Sequence, residues 1–371
     1  MNALRRILAL VRKEFLTLLK DPKSRMVLIV PPMIQLMVFG YAASFDLKDI
    51  PYALYNEDGG QASRDLMARF EGAPAFHRVA VLNAEQQIAP LVDRRDVLMV
   101  IHLGQRFSAE LLSGGGAPVQ VIIDGRNSNT AMIAMGYARA VVDGFNRDWR
   151  AARGLPNLPA RLETRAWFNP NLESRWFFIP GIIGMITLVT TMLVTALTVA
   201  REREQGTFDQ LLITPMRPAE ILFGKALPGF IVGHIQATVI LLIAVFWFQV
   251  PLLGSVPALY GGLALFLMSG VGAGLLISSL AVTQQQGLLG AFLFMVPAVI
   301  LSGFATPIAN MPEAVQTLTL IDPLRYFLVI LRKVFLEGAG FAVLADQYWP
   351  MAIIGVGALG LASGLFRHRL Y

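Results

Sequence analysis

The chain has 371 residues, 55 % of them hydrophobic and 15 % charged, with 31 Lys+Arg against 25 Asp+Glu and no cysteine. Soluble proteins carry roughly 25 % charged residues and disordered chains are poor in apolar ones, so both classes are excluded. Disulfides and thiolate metal sites are excluded with them. Mean hydropathy is +0.57, and the charges are segregated. Windows 26–45, 176–200, 226–312 and 347–366 contain none, whereas 46–175 holds 30 of the 56. The pattern predicts an α-helical polytopic membrane protein with one large polar insertion.

Residues 1–25 carry seven basic and two acidic side chains. Leu4, Ile7, Leu8, Val11, Phe15, Leu18 and Leu19 recur at helical spacing, opposite Arg5, Arg6, Arg12, Lys13 and Lys20. This predicts an interfacial amphipathic helix ended by Asp21-Pro22. Its apolar side can lie on lipid or on the protein's own surface. The segment lacks the apolar core of a cleavable signal peptide.

A spanning helix needs about 20 apolar residues. Six spans are expected: 26–45, 176–200, 222–248, 258–281, 288–304 and 347–366. The long uncharged window is divided at Gln249–Pro257 and at Thr283–Gly287. Six spans place both termini on one side. Short segments on that side carry 13 Lys+Arg against 3 on the other, so the termini are expected in the cytoplasm and 46–175 outside it. In a bacterium that means inner membrane and periplasm. The net charge of +6 resides at the termini and marks orientation rather than nucleic-acid binding.

The insertion alternates strand patterns (Pro51–Tyr55, Arg78–Leu82, Asp96–Leu103, Val119–Ile123) with helix patterns (Ala62–Phe70, Ala84–Arg94, Phe107–Leu112, Thr130–Asp148). Such alternation predicts an α/β extracytoplasmic domain between spans one and two. Asn56–Gly60 and Asp124–Asn127 read as solvated turns rather than ligand sites. Leu112-Ser113-Gly114-Gly115-Gly116 imitates a nucleotide-binding signature loop. No G-x-x-x-x-G-K-[ST] loop accompanies it, so it reads as a helix-to-strand connection.

The windows that hold the spans, 26–45, 176–200, 226–312 and 347–366, contain no Asp, Glu, Lys or Arg, which argues against proton- or sodium-coupled transport and charged-ring channels. His234 reads as a hydrogen-bond partner between helices. No paired Asp, or Ser with His or Lys, suits an intramembrane enzyme. Thr187, Thr191, Thr195 and Thr198 share one face of the second span. They line a path for an amphiphile, or they bond carbonyls and neighbouring helices; the spacing fits both. Gly270-x-x-x-Gly274 allows close helix packing. The charged segment 201–215, with its apolar edge Leu211–Ile213, suits docking of a partner protein. The proline-rich, apolar 306–336 suits short helices dipping into the outer leaflet.

Three motifs lie in order along the chain: Lys13-Glu14 with Asp21-Pro22; Arg201–Pro215 running on through Arg217-Pro218, Glu220-Ile221-Leu222 and Gly224-Lys225; and Ser302-Gly303-Phe304 with Pro307-Ile308, Asn310-Met311-Pro312 and Pro323-Leu324-Arg325-Tyr326-Phe327. Together they resemble type-2 ATP-binding cassette (ABC) exporter permeases, in particular bacterial multidrug-type permeases with a large periplasmic domain. Ala305-Thr306 departs from the bulkier pair expected there. The resemblance implies a separate cytoplasmic ATPase subunit that binds ATP-Mg, with no cofactor in this chain. It also implies a second permease chain, identical or paralogous, membrane lipids around it, and a periplasmic adaptor. Contact with the ATPase is expected at Arg201, Glu202, Arg203, Glu204, Gly206, Thr207, Leu211, Leu212 and Pro215 of a coupling segment 201–220, with Lys13 and Glu14. An outer gate is expected at Pro307, Asn310, Pro312 and Arg325 in re-entrant helices 305–336. The competing reading is a membrane-anchored envelope sensor or assembly factor whose outer domain binds a ligand or partner. Six spans exceed what an anchor needs.

Overall fold

The structure is a computed structural model that describes residues 3–42, 47–114, 116–156, 167–171, 173–208, 214 and 216–368. It divides into two compact units, 1–43 with 166–371 and 44–165.

In the second unit, β1 (Ile50–Asn56), β2 (Phe76–Leu82), β3 (Met99–Leu103) and β4 (Val119–Ile123) form one sheet in the order β2-β1-β3-β4. The two β1 pairings are parallel and β3–β4 is antiparallel. Helices α3 (Gln61–Gly72), α4 (Ile88–Asp93), α5 (Phe107–Leu112) and α6 (Ser128–Ala152) complete it. Tyr52, Leu54, Met99 and Ile101 are buried with Leu66 and Phe70 of α3 and with Ala134 and Ala138 of α6. Ala53 and Val100, pointing the other way by strand alternation, pack with Ile88 of α4. Asn127 caps α6 by accepting from the Thr130 N–H, and beside it Arg126 holds the Asp124 carboxyl down at a pKa of about 2. The glycine loop places Gly114 at φ +81° after α5; Gly115 lies outside the described residues.

The first unit is helical: α1 (Ala3–Lys20), α2 (Pro22–Ala42), α7 (Ser174–Glu204), α8 (Pro218–Phe246), α9 (Val256–Leu280), α10 (Gln284–Leu301), α11 (Glu313–Leu318), α12 (Pro323–Arg332) and α13 (Phe341–His368). Five of these, α7, α8, α9, α10 and α13, are long and apolar enough to cross a membrane. A sixth is reached if the bent pair Glu313–Ile321 and Pro323–Glu337, meeting at 84°, counts as one. In α2 the apolar stretch is shorter, Leu28–Tyr41, and contains Pro31 and Pro32.

At 1.5 Å per residue, α7 is about 46 Å long, well beyond the ~30 Å hydrocarbon core. It is long enough to hold its charged end Arg201–Glu204 outside an apolar layer of that thickness. It is also the most enclosed of the five spans, 78 % buried over its apolar window. α10 starts at Gln284 rather than 288 because its first amides have acceptors: Thr283 Oγ1 takes the Gln286 N–H and Glu204 Oε2 takes that of Gln284.

Close packing depends on glycine. A Cβ at Gly272 would meet the Ala358 Cβ at 2.7 Å and the Leu359 backbone nitrogen at 2.9 Å, so α9 and α13 are in backbone contact there. At Gly184 a Cβ would lie 3.1 to 3.3 Å from Leu324, Phe327 and Leu331 of α12. Phe327 stacks on Phe266 of α9 at 4.4 Å.

Candidate functional site

The ionic centre of the first unit lies where α1 crosses the end of α7 and the start of α8. α1 turns Leu10, Val11, Glu14 and Leu18 inward. Leu10 reaches α8 because Gly224 has no side chain; a Cβ there would lie 2.5 Å from Leu10 Cδ2. Leu10, Val199, Phe208, Ile221 and Phe366 form an apolar floor. Beside it Lys225, fully buried, puts Nζ 3.2 Å from Glu14 Oε1 and 2.5 Å from Glu202 Oε2. Lys13 pairs with the other oxygen of Glu202 and stands 4.0 Å from Glu14. Two carboxylates thus face two ammonium groups. Their desolvation is met by mutual pairing, the condition under which buried charge is tolerated. Arg6 Nη2 donates to Glu220 Oε1 at 2.7 Å, and Glu220 Oε2 accepts the Arg217 N–H at 3.1 Å. That bond caps α8 at the first turn, where Pro218 occupies a position needing no amide.

Each of the next two residues of α7 holds another element. Arg203 Nη1 donates to Ser279 O at 2.8 Å and Ala281 O at 3.2 Å, a cation on the carbonyl end of α9. Glu204 Oε2 accepts from the Gln284 N–H at 2.8 Å and its side-chain amide at 3.2 Å, an anion on the amide end of α10. α7 stops at Gly206, φ +67°. There the Gly206 N–H donates to Arg203 O and the Thr207 N–H to Glu202 O, a left-handed glycine stop.

Glu14 and Glu202, at 6 % and 5 % exposure, are turned into this chain's own interior. Glu204, Gln205 and Gly206 form an exposed tip, with Arg201, Arg203 and Thr207 half-buried behind it. A cleft of about 280 Å³ beside the tip is lined by Lys13, Thr17, Thr198, Arg201, Gln205 and Thr207 among others. Leu211, Leu212 and Pro215 lie outside the described residues. Lys225, Arg6 and Glu220 are not among the contact residues named from the sequence, although Glu220 and Lys225 stand in the second motif. Lys225 was signalled by its place at the edge of an 87-residue uncharged window; the Arg6–Glu220 pair, 214 residues apart, had no local signal.

The threonine stripe faces inward. Thr187, Thr191 and Thr195 are fully buried and Thr198 nearly so. Thr195 bonds the Thr191 carbonyl and Thr198 the Thr195 carbonyl. Thr191 Oγ1 would lie 2.6 Å from a Cβ at Gly233 of α8, and Thr195 occupies the space above Gly274 of α9. In this conformation the stripe is helix packing. Thr191→Leu is therefore expected to lower folded yield and reduce efflux of every dye alike. A reordered dye preference at normal yield would put Thr191 on the path.

Of the other expected residues, Pro307, Asn310 and Pro312 are exposed; Asn310 ends the short turn Ile308–Asn310 that precedes α11, and the two prolines lie on either side of it. Arg325 donates to Thr319 Oγ1 and lies over the Tyr326 ring at 5.7 Å. Asp322 Oδ1 caps α12 through the Leu324 N–H at 3.0 Å. His234 Nδ1 lies 3.0 Å from Phe230 O. Among the described residues no group of three His, Cys, Asp or Glu is placed to hold a metal ion.

The family model described as "ABC-2 family transporter protein" matches residues 25–364. The chain is 40 % identical over 365 residues to the Escherichia coli (strain K12) protein named "Probable multidrug ABC transporter permease YbhR", covering 98 % of this chain and 99 % of that one. It is 34 % identical to "Probable multidrug ABC transporter permease YbhS" of the same strain, over 90 % of this chain and 89 % of that one. "Inner membrane transport permease YhhJ", from the same strain, is 29 % identical over 100 % of this chain and 99 % of its own length. Permeases are transport subunits rather than enzymes, and the family implies a cytoplasmic ATPase partner and a paired permease. The helical bundle, the charged tip of α7 and these full-length likenesses together place this chain in the ABC-2 transporter family, as a permease subunit of an ABC exporter.

Proposed function

We propose that the chain moves amphiphilic or hydrophobic small molecules out of the cytoplasm or inner leaflet, driven by a separate ATPase that docks on the tip of α7. The observation that carries this is the triplet Glu202-Arg203-Glu204. Its three side chains hold α1 and α8, α9, and α10 respectively, while Gln205 and Gly206 remain exposed beyond them. A subunit pressing on that tip moves four helices at once. Work delivered this way needs no charged group in the middle of the spans, and the windows 176–200, 226–312 and 347–366 contain no Asp, Glu, Lys or Arg.

The distribution of Lys and Arg supports cytoplasmic termini, with α1 and the α7 tip on that side and 46–175 in the periplasm. The 307–325 segment then lies at the outer end and serves as the gate. The threonine stripe enters the path in a state where α7 parts from α8 and α9. A periplasmic adaptor docks on the inserted unit. The multidrug names of YbhR and YbhS support a broad apolar cargo class.

The chain lacks cysteine, so Gln205→Cys gives a single attachment point for a photocrosslinker in native membranes. Capture of an ABC ATPase subunit is the expected result. Capture of nothing, or of an unrelated cytoplasmic protein, with correctly inserted permease overturns docking at this tip.

A further inference from the structure

In the uncharged stretches of α7 and α8, four buried polar atoms have no hydrogen-bond partner among the described residues. They are Thr187 Oγ1, Thr191 Oγ1 and both amide atoms of Gln236. Thr187 and Thr191 are 0 % exposed and Gln236 is 8 % exposed. Thr195 and Thr198 direct their hydroxyls to carbonyls of their own helix, and Thr187 and Thr191 do not. All three orphaned residues lie more than two helical turns from either end of their helix. Ile186, Ala237 and Ile240, buried beside them in sequence, belong to the apolar core.

Two close approaches fix how the helices meet. A Cβ at Gly229 would lie 2.4 Å from Thr195 Cγ2, and one at Gly233 would lie 2.6 Å from Thr191 Oγ1. α7 and α8 therefore pass each other antiparallel in four-residue steps. The next step sets the turn Gln236–Ala237 at the level of Thr187. The orphaned groups thus gather along one seam. Native structures leave few buried polar groups unpaired, because each costs its full desolvation. On the α8 side the contact is made by Gly229 and Gly233, so no α8 side chain has to be withdrawn there for the helices to part.

We propose that this seam is a binding site for a neutral amphiphile carrying a hydroxyl or amide group, held by Gln236 with Thr187 and Thr191. The ligand's polar hydrogen goes to Gln236 Oε1, and its oxygen accepts from Gln236 Nε2 or a threonine hydroxyl. Its alkyl part meets the aliphatic surroundings. Windows 176–200 and 226–312 contain no Asp, Glu, Lys or Arg, so the site offers nothing to an ionic ligand. Binding selects the parted seam, where the four atoms gain partners. The inference rests on the transport reading for its role, and narrows the cargo to neutral amphiphiles with a hydrogen-bonding group.

The full chain in nanodiscs is photolabelled with azioctanol and, separately, with azioctane, which lacks the hydroxyl. Labelled residues are found by mass spectrometry. Azioctanol is expected to label the turns of α7 and α8 around Thr187 and Gln236 about fivefold more than azioctane at equal membrane concentration, the worth of one hydrogen bond. Gln236→Leu should abolish that ratio and melt no lower than the parent, since it removes unpaired atoms. Thr238→Val should keep the ratio, because that hydroxyl already bonds His234 O and the Tyr260 hydroxyl. Equal labelling by the two probes overturns the proposal, as does loss of the ratio in both variants. A lower melting temperature for Gln236→Leu overturns it too, by showing the amide paired at rest. Labelling by neither probe, with Gln236→Cys reactive toward an aqueous methanethiosulfonate reagent, assigns the seam to water and also overturns it. None of these results touches docking of the ATPase, which is read at Gln205.

Discussion

Lys225→Met should destabilise the bundle by about 3–5 kcal/mol, the range for removing one partner from a buried ion pair. With total stabilities of roughly 5–15 kcal/mol, that is enough to cut folded protein sharply. The substitution keeps the side-chain volume and deletes the ammonium group that touches both Glu14 and Glu202. Lys13 remains, but it is half-exposed and lies 4.0 Å from Glu14. Two carboxylates at 5–6 % exposure would share one cation, which pairs with Glu202 and leaves Glu14 without a close partner. Thermal unfolding in detergent, followed by size-exclusion chromatography, reads the loss. Adding Glu14→Gln to Lys225→Met should recover part of it by removing the stranded charge, since Glu202 keeps Lys13. Parent-like stability for Lys225→Met alone would show that solvent reaches the centre.

Gly272→Ala should be nearly as damaging, through shape instead of charge. The added methyl meets the Ala358 Cβ and the Leu359 backbone nitrogen, and backbone cannot rotate away. Overpacking of this kind costs about 1–3 kcal/mol and sometimes more. Gly357→Ala, on α13, is the matched control, because nothing lies within 4 Å of its Cβ. There the helix gains roughly 0.8–1 kcal/mol of propensity, so yield should hold or rise. If the two variants unfold at the same temperature, the backbone contact of α9 with α13 is not as close as described.

The strands and the long apolar helices are legible where a local period or an uncharged run sets them, whereas over the first expected span α2 has only the shorter apolar stretch Leu28–Tyr41. Val119–Ile123 and Phe107–Leu112 occupy the residues expected of them. The long uncharged window broke near its polar and proline-rich interruptions, yet the start of α10 moved to Gln284. That shift came from Glu204, 80 residues away, which no local pattern contains. The charged segment 201–204 was conspicuous in sequence, but the direction of its side chains was not. Spacing cannot say that Glu202 turns inward to Lys225 while Glu204 reaches α10. The threonines show the same limit: their shared face follows from helical periodicity, and the glycines that cover it come from α8 and α9.

Substitutions and insertions should behave very differently at the α7 tip. A change at Glu202, Arg203 or Glu204 releases one attachment and spares the other two. One extra residue inserted just before Arg201 would rotate everything after it by about 100°. All three side chains would then miss their targets together, although every one of them is still present. The triplet is thus a matter of phase as much as of chemistry: this stretch of the chain can vary in composition more readily than in length.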